Sequence, residues 1–357
     1  MTSSLLERFD PRRNSLNALR LLLAALVIVS HSWPLSGHHP EPEWGGANLG
    51  TWAVFGFFAI SGFLITRSRL SGRSTFDFYR ARVLRILPGF VVALIVVAFG
   101  FAPLSQLFDP DASWHPISSV TFVLRNLPLY PPLLGQPEIV HTLSGTPFPG
   151  LWDGSLWTLF WEACCYLAIG LAVSLLPRKA VPLVVIALFV LLSLVSLAGA
   201  FGLVPLPELV GRVIPMLIAF AAGSLLFLFS DRFRANLLTA VVAVVALVVI
   251  GLLGMIPQLG ALPLAYLLLT LGNVLPFHGV GRSFDISYGV YIYAWPVQQT
   301  LALAFHPQLS VPVFILLSFV GTVPLAFLSC WLIERPALAL KSRRPRAVRA
   351  PAQSTAA

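Results

Sequence analysis

Charge is scarce in this chain. Lys, Arg, Asp and Glu make up 10% of its 357 residues, against roughly a quarter in ordinary globular domains. A soluble domain of this length could bury a large core, yet it could not hide this much apolar side chain. Cysteine is nearly missing as well. Cys164, Cys165 and Cys330 all lie in apolar segments, so neither a disulfide framework nor a metal-ligand spacing is present. The apolar runs lack the alternation of a transmembrane β-barrel. The first run also lacks a small-residue cleavage site, and His31 and Pro34 within it mark a retained helix rather than a signal peptide.

What is there is apolar. Hydrophobic residues make up 57% of the chain, and the mean hydropathy is +0.85. This describes an all-α, polytopic integral membrane protein. A span needs about 20 apolar residues. Ten segments qualify, at 16–35, 50–66, 86–104, 155–176, 181–201, 212–230, 236–256, 261–276, 286–305 and 311–333. Residues 1–340 read as one membrane-embedded unit, and 341–357 as a basic, disordered cytoplasmic tail. No internal repeat is evident.

The formal charge of +9 is distributed as the positive-inside rule expects, so nucleic acid is not the implied partner; the lipid bilayer is. Arg8, Arg12 and Arg13 precede the first span. Arg67, Arg69, Arg73, Arg80, Arg82 and Arg85 follow the second. Arg178, Lys179, Arg232, Arg234, Arg282 and the tail continue on the same side. Glu41, Glu43, Asp109, Asp111, Glu138, Asp153 and Glu208 lie on the other. Both termini are therefore expected in the cytoplasm. The segment 105–154, rich in Pro and aromatics, is expected to be an ordered external loop rather than a floppy linker. Trp114, Trp152 and Trp157 there could face sugar rings or a membrane interface.

Arg20 and His31 share the first span. Eleven steps at about 100° return nearly to the same direction, so both lie on one face, roughly 16 Å apart along the axis. Ionisable groups at membrane depth are costly and usually functional. Glu162, in the fourth span, is expected at a depth similar to that of His31 and could orient its ring. Arg82 and Arg85, at i and i+3, share a helical face at the mouth of the third span, where arginine forks suit phosphate or anionic lipid. Gly62 with Ser61 forms a small polar break in the second span, fit for close helix approach or a ligand. Tyr288, Tyr291 and Trp295 form one stripe of the ninth span.

Taken together, the chain resembles the acyltransferase 3 family of bacterial integral-membrane acyltransferases. The resemblance rests on Arg20-x10-His31, ISGFL at 60–64, Arg82-x-x-Arg85 followed by Pro88, SLWTLFWE at 155–162, SYGVYIYAWPV at 287–297 and WLIERP at 331–336. It implies about ten helices, an acyl-CoA donor (acetyl-CoA by default) reached from the cytoplasm, no metal, and an acceptor hydroxyl on a cell-surface glycan or lipid-linked sugar outside a bacterial inner membrane. It implies His31 as the essential histidine and Arg20 as its paired arginine. Arg82 and Arg85 then bind the donor, and Glu162 completes the catalytic set. The chain departs from the family pattern at Asn17, where Asp is common, at Leu21, where Gly is common, and at Ala294, where a His is frequent. The residues alone leave a rival open: a proton-coupled transporter or flippase that uses the same Arg, His and Glu.

Overall fold

A computed structural model describes residues 9–11, 13–129, 135–233, 236–305 and 307–342. Arg8, Arg12, Arg234 and nearly all of the predicted tail lie outside the described residues. Each of the ten predicted spans contains a long helix: α1 Leu16–Leu35, α2 Leu49–Leu70 and α3 Thr75–Val96, then α5 Trp157–Leu175, α6 Val181–Ala200, α7 Glu208–Leu228, α8 Leu237–Leu252, α9 Ala261–Val274, α10 Ser287–Phe305 and α11 Val311–Ser329. A further helix, α4 Pro116–Asn126, lies between α3 and α5. Among the described residues the strands are two short antiparallel pieces, Glu43–Trp44 and Ala47–Asn48.

Seven of these helices are long and apolar enough to cross a membrane; α8 and α9 are apolar but shorter, and α10 is not among the seven. The reason differs for α10. It has nineteen residues, fourteen of them buried, including Gln298, Gln299 and three tyrosines. An interior helix that does not meet lipid can carry polar groups, provided they find partners. The outer helices show the converse: α6 buries three of its twenty residues and exposes a row of Leu and Val.

The third helix begins earlier than expected. The Ser74 side chain accepts from the Asp77 N–H, and Asp77 sits in the first turn, where an acid favours the helix. Arg80, Arg82 and Arg85 therefore belong to α3, and Arg67 and Arg69 to α2; the expected loop shrinks to the few residues between. A π-helical turn at Val97–Phe101 carries α3 onward, and another at Cys330–Glu334 extends α11.

The closest helix contact joins α2 to α7. A Cβ on Gly62 would stand 2.0 Å from the Phe220 carbonyl oxygen, and one on Gly223 1.9 Å from that of Ala59. The small residue at 62 thus serves helix approach, and its neighbour Ser61 serves the site. The described residues of the segment before α5 are packed against the helices; 130–134 lie outside the described residues. Trp152 is fully buried, with its Nε1 donating to Thr142 at 2.8 Å. That burial removes Trp152 as an open platform for sugar.

Candidate active site

The helices alternate in direction, so the beginning of α1 meets the ends of α2 and α11 and the beginning of α10. This is the Arg20 end. The His31 end gathers the end of α1, the beginnings of α2 and α5, and the middle of α10.

At the Arg20 end, Asp285 precedes α10 and joins two helices. Its Oδ2 lies 3.3 Å from Arg20 Nη1 and 2.6 Å from Arg85 Nη2. Arg85 Nη1 also stands 3.7 Å from Glu334, at the close of the π-turn after α11. Burial disfavours a charged carboxylate at 285, yet Arg20, Arg85 and two hydrogen bonds from Ser287 outweigh it and hold Asp285 down at about 2. The cluster ties α1, α3, α10 and α11 together.

Arg82 points elsewhere on α3. Its guanidinium lies over the Phe78 and Tyr166 rings, at 5.9 and 6.0 Å, and its buried Nε has no hydrogen-bond partner. Tyr166 donates to Glu162 Oε1 at 2.5 Å, and Ser61 donates to the same oxygen at 2.8 Å. Glu162 thus links α5 to α2. Among the described residues no hydrogen bond joins it to His31.

At the His31 end, the imidazole meets Trp295 edge-on, with ring centroids 4.8 Å apart at 77°. Its Nδ1 is buried without a partner. One turn of packing holds this pair. Gln298 donates to the Ile28 carbonyl and to Ser32, and Trp295 Nε1 donates to the Leu151 carbonyl at 3.0 Å. Tyr291 binds Thr158 at 2.5 Å, and Tyr288 donates to the Ile86 carbonyl at 2.9 Å. The aromatic stripe is therefore packing, with Trp295 also packed against the His31 ring. Asp153 immediately precedes Gly154. Burial pushes its carboxyl well above the usual range, and the Ser155 N–H opposes this in part. Gly154 fits under Trp295, where a Cβ would come within 2.6 Å.

Of the predicted residues, Arg20 and Arg85 thus meet through Asp285, Arg82 and Glu162 both meet Tyr166, and His31 stands apart against Trp295. Asp285 and Glu334, which pair with Arg20 and Arg85, are not singled out by the sequence. Arginines at membrane depth need counter-charges, but sequence spacing does not say which acids supply them. Among the described residues no group of three His, Cys, Asp or Glu side chains could hold a metal ion.

The fold is a polytopic helical bundle with a histidine near one end of α1 and an arginine near the other. A family model described as an acyltransferase domain matches residues 13–331, and the chain belongs to that family, acyltransferase 3. It is similar to an O-acetyl transferase of Shigella phage Sf6, at 31% identity over 91% of this chain and 96% of that protein. It is also similar to Nodulation protein 10 of Rhizobium leguminosarum bv. viciae, at 29% identity over 94% of this chain and 96% of that protein. No solved structure matches. The chain is thus a multi-pass membrane enzyme of the O-acetyltransferase kind, and the transporter reading falls away.

Proposed function

We propose that the protein moves an acyl group, acetyl by default, from cytoplasmic acyl-CoA to a hydroxyl of an extracytoplasmic glycan or lipid-linked sugar in a bacterial inner membrane, with both termini in the cytoplasm. The observation that carries this reading is the pairing on α1. One continuous helix, Leu16–Leu35, holds Arg20 near its start and His31 near its end, roughly 16 Å apart on one face. That separation is of the order of a pantetheine arm. The donor's charged end can stay at the arginines while its thioester reaches the histidine.

His31 then acts as general base on the acceptor hydroxyl. The hydroxyl oxygen forms the new ester bond, the thioester C–S bond breaks, and the proton taken by His31 passes to the departing thiolate. Acylation of His31 followed by transfer has the same balance in two steps. Trp295 and the buried surroundings of Nδ1 fix the ring plane. Arg20 and Arg85 are held in place by Asp285 and Glu334 and position the start of α1 against α3. Arg82, whose Nε lacks a partner, offers a donor for the phosphate or thioester part of the donor. Glu162 is a positioning residue for Ser61, Tyr166 and Arg82 rather than for the imidazole.

The test is glycan mass spectrometry of a deletion strain complemented with wild-type or His31→Ala protein. Loss of one acetyl mass from a surface glycan, restored by wild type alone, supports the reading. An unchanged glycan and lipid-linked sugar profile in the deletion strain contradicts it.

A further inference from the structure

A second cationic feature at the Arg20 end lies outside the Arg20–Arg85 cluster. A cavity of about 370 Å³ opens between the chain before α1, the end of α2 and the loop ahead of α10. Phe9 and Leu64 wall it; Asn17, Arg67, His278 and Arg282 edge it. Its size falls at the lower end of ordinary ligand sites.

The cavity is built by long-range ties. Ser15 donates from its backbone to Gly272 and from its hydroxyl to the Leu275 carbonyl, and its hydroxyl accepts from the Phe277 N–H. Asn17 donates to the Gly281 carbonyl at 3.0 Å. Gly281 has φ +69°, and a Cβ there would stand 2.7 Å from the Asn17 side chain, so the loop is seated tightly on α1. The same loop continues to Asp285, the acid that holds Arg20 and Arg85.

Charge availability separates this cavity from the arginine cluster. Phosphate recognition needs donors that no carboxylate already holds. Arg85 meets two carboxylates, and Arg20 one. Among the described residues, Arg67 and Arg282 belong to no ion pair of that cluster, and no acid lines the cavity. Arg67 lies over the Phe9 ring at 5.1 Å, and the Asp10 charge also acts on it. Asn17 is one turn before Arg20 on the same face of α1. A ligand seated here therefore continues past Arg20 towards His31, about 20 Å away along the axis.

We propose that this cavity binds the adenosine 3′-phosphate end of the CoA donor, with Arg67 and Arg282 on its phosphate groups and Phe9 beside the base. This rests on the reading of acyl-CoA as the donor. The ligand chemistry is that of a phosphate ester, which an anionic lipid headgroup also carries, so the test separates the two.

The experiment is calorimetric titration of the purified full chain, in discs of neutral phosphatidylcholine, with CoA and with CoA lacking the 3′-phosphate. Wild type is expected to prefer CoA. The Arg67→Gln/Arg282→Gln variant should bind CoA about tenfold or more weakly and lose the preference. The Arg67→Lys/Arg282→Lys variant should recover part of it. Both variants are checked for an unchanged melting temperature, and the Lys pair serves as the reading where the Gln pair melts early. Adding phosphatidylglycerol should leave wild-type CoA affinity unchanged. CoA binding with full 3′-phosphate preference in both arginine variants overturns the cavity assignment and leaves the acyltransferase reading standing. Competition of phosphatidylglycerol with CoA, lost in the Gln pair, makes the cavity a lipid site and also overturns it. Wild type that binds no CoA at all removes the donor reading itself.

Discussion

Arg85 on α3 and Asp285, just ahead of α10, meet at 2.6 Å although two hundred residues apart in sequence. Both side chains are about four-fifths shielded from solvent, so neither charge tolerates loss of the other. Asp285→Asn leaves Arg20 and Arg85 without their shared negative charge. Removing one partner of a buried pair costs about 3–5 kcal/mol; the partial exposure here places the expectation at the lower end. The variant should melt earlier in detergent and lose most transfer activity. Asp285→Glu should recover part of both. A melting temperature equal to that of wild type would show that the cluster does not hold α1, α3 and α10 together.

Acid should release the same cluster. The Asp285 carboxyl is held at about 2, below its usual 3.8. The unfolded chain takes up this proton first, so the contribution is complete above about 4 and disappears as the pH falls towards 2. Melting curves across that window should drop more steeply for wild type than for Asp285→Asn. Parallel curves would contradict the assignment.

The α2–α7 contact gives a packing prediction. Gly62→Ala and Gly223→Ala each drive a Cβ into a facing carbonyl. Neither neighbour is a flexible side chain, so the helices must separate. Overpacking of this kind costs about 1–3 kcal/mol, and the two changes should not add, because they act on one interface. Thermal melts of the two single variants and the double variant decide it.

Much of this was legible in the sequence. Apolar runs located the long helices, of which seven among the described residues are long and apolar enough to cross a membrane, and spacing put Arg20 and His31 on one face of α1. The beginning of α3 was misplaced because apolar content sets in late, at residue 86, although Ser74 and Asp77 carried a helix-start signal. Asp285 and Glu334 were not legible as site members. Their partner, Arg85, is far away in sequence, and only the packing of α10 and α11 on α3 brings them together. The same holds for Glu162. Its depth suggested His31, whereas the rotation of α5 directs it to Ser61 and Tyr166. In α10, the most deeply buried helix, polar residues interrupt the apolar run.

The arginine pair on α3 separates by role. Arg85 is occupied by carboxylates, and Arg82 is not. Arg82→Ala should weaken donor binding while sparing the fold; Arg85→Ala should cost stability as well. Donor titration and melting temperature, measured on both variants, distinguish the two. Equal loss of stability in both would contradict the division.

Transfer across the membrane from a cytoplasmic donor is the central claim. It is tested most directly with inverted membrane vesicles given labelled acetyl-CoA on their outer, formerly cytoplasmic face. The account predicts labelled glycan or lipid-linked sugar inside the vesicles with wild-type protein. His31→Ala protein inserted at the same level should be slower by about 10²–10⁴. Label confined to an acceptor on the outer face, or undiminished transfer by the His31→Ala protein, would contradict it.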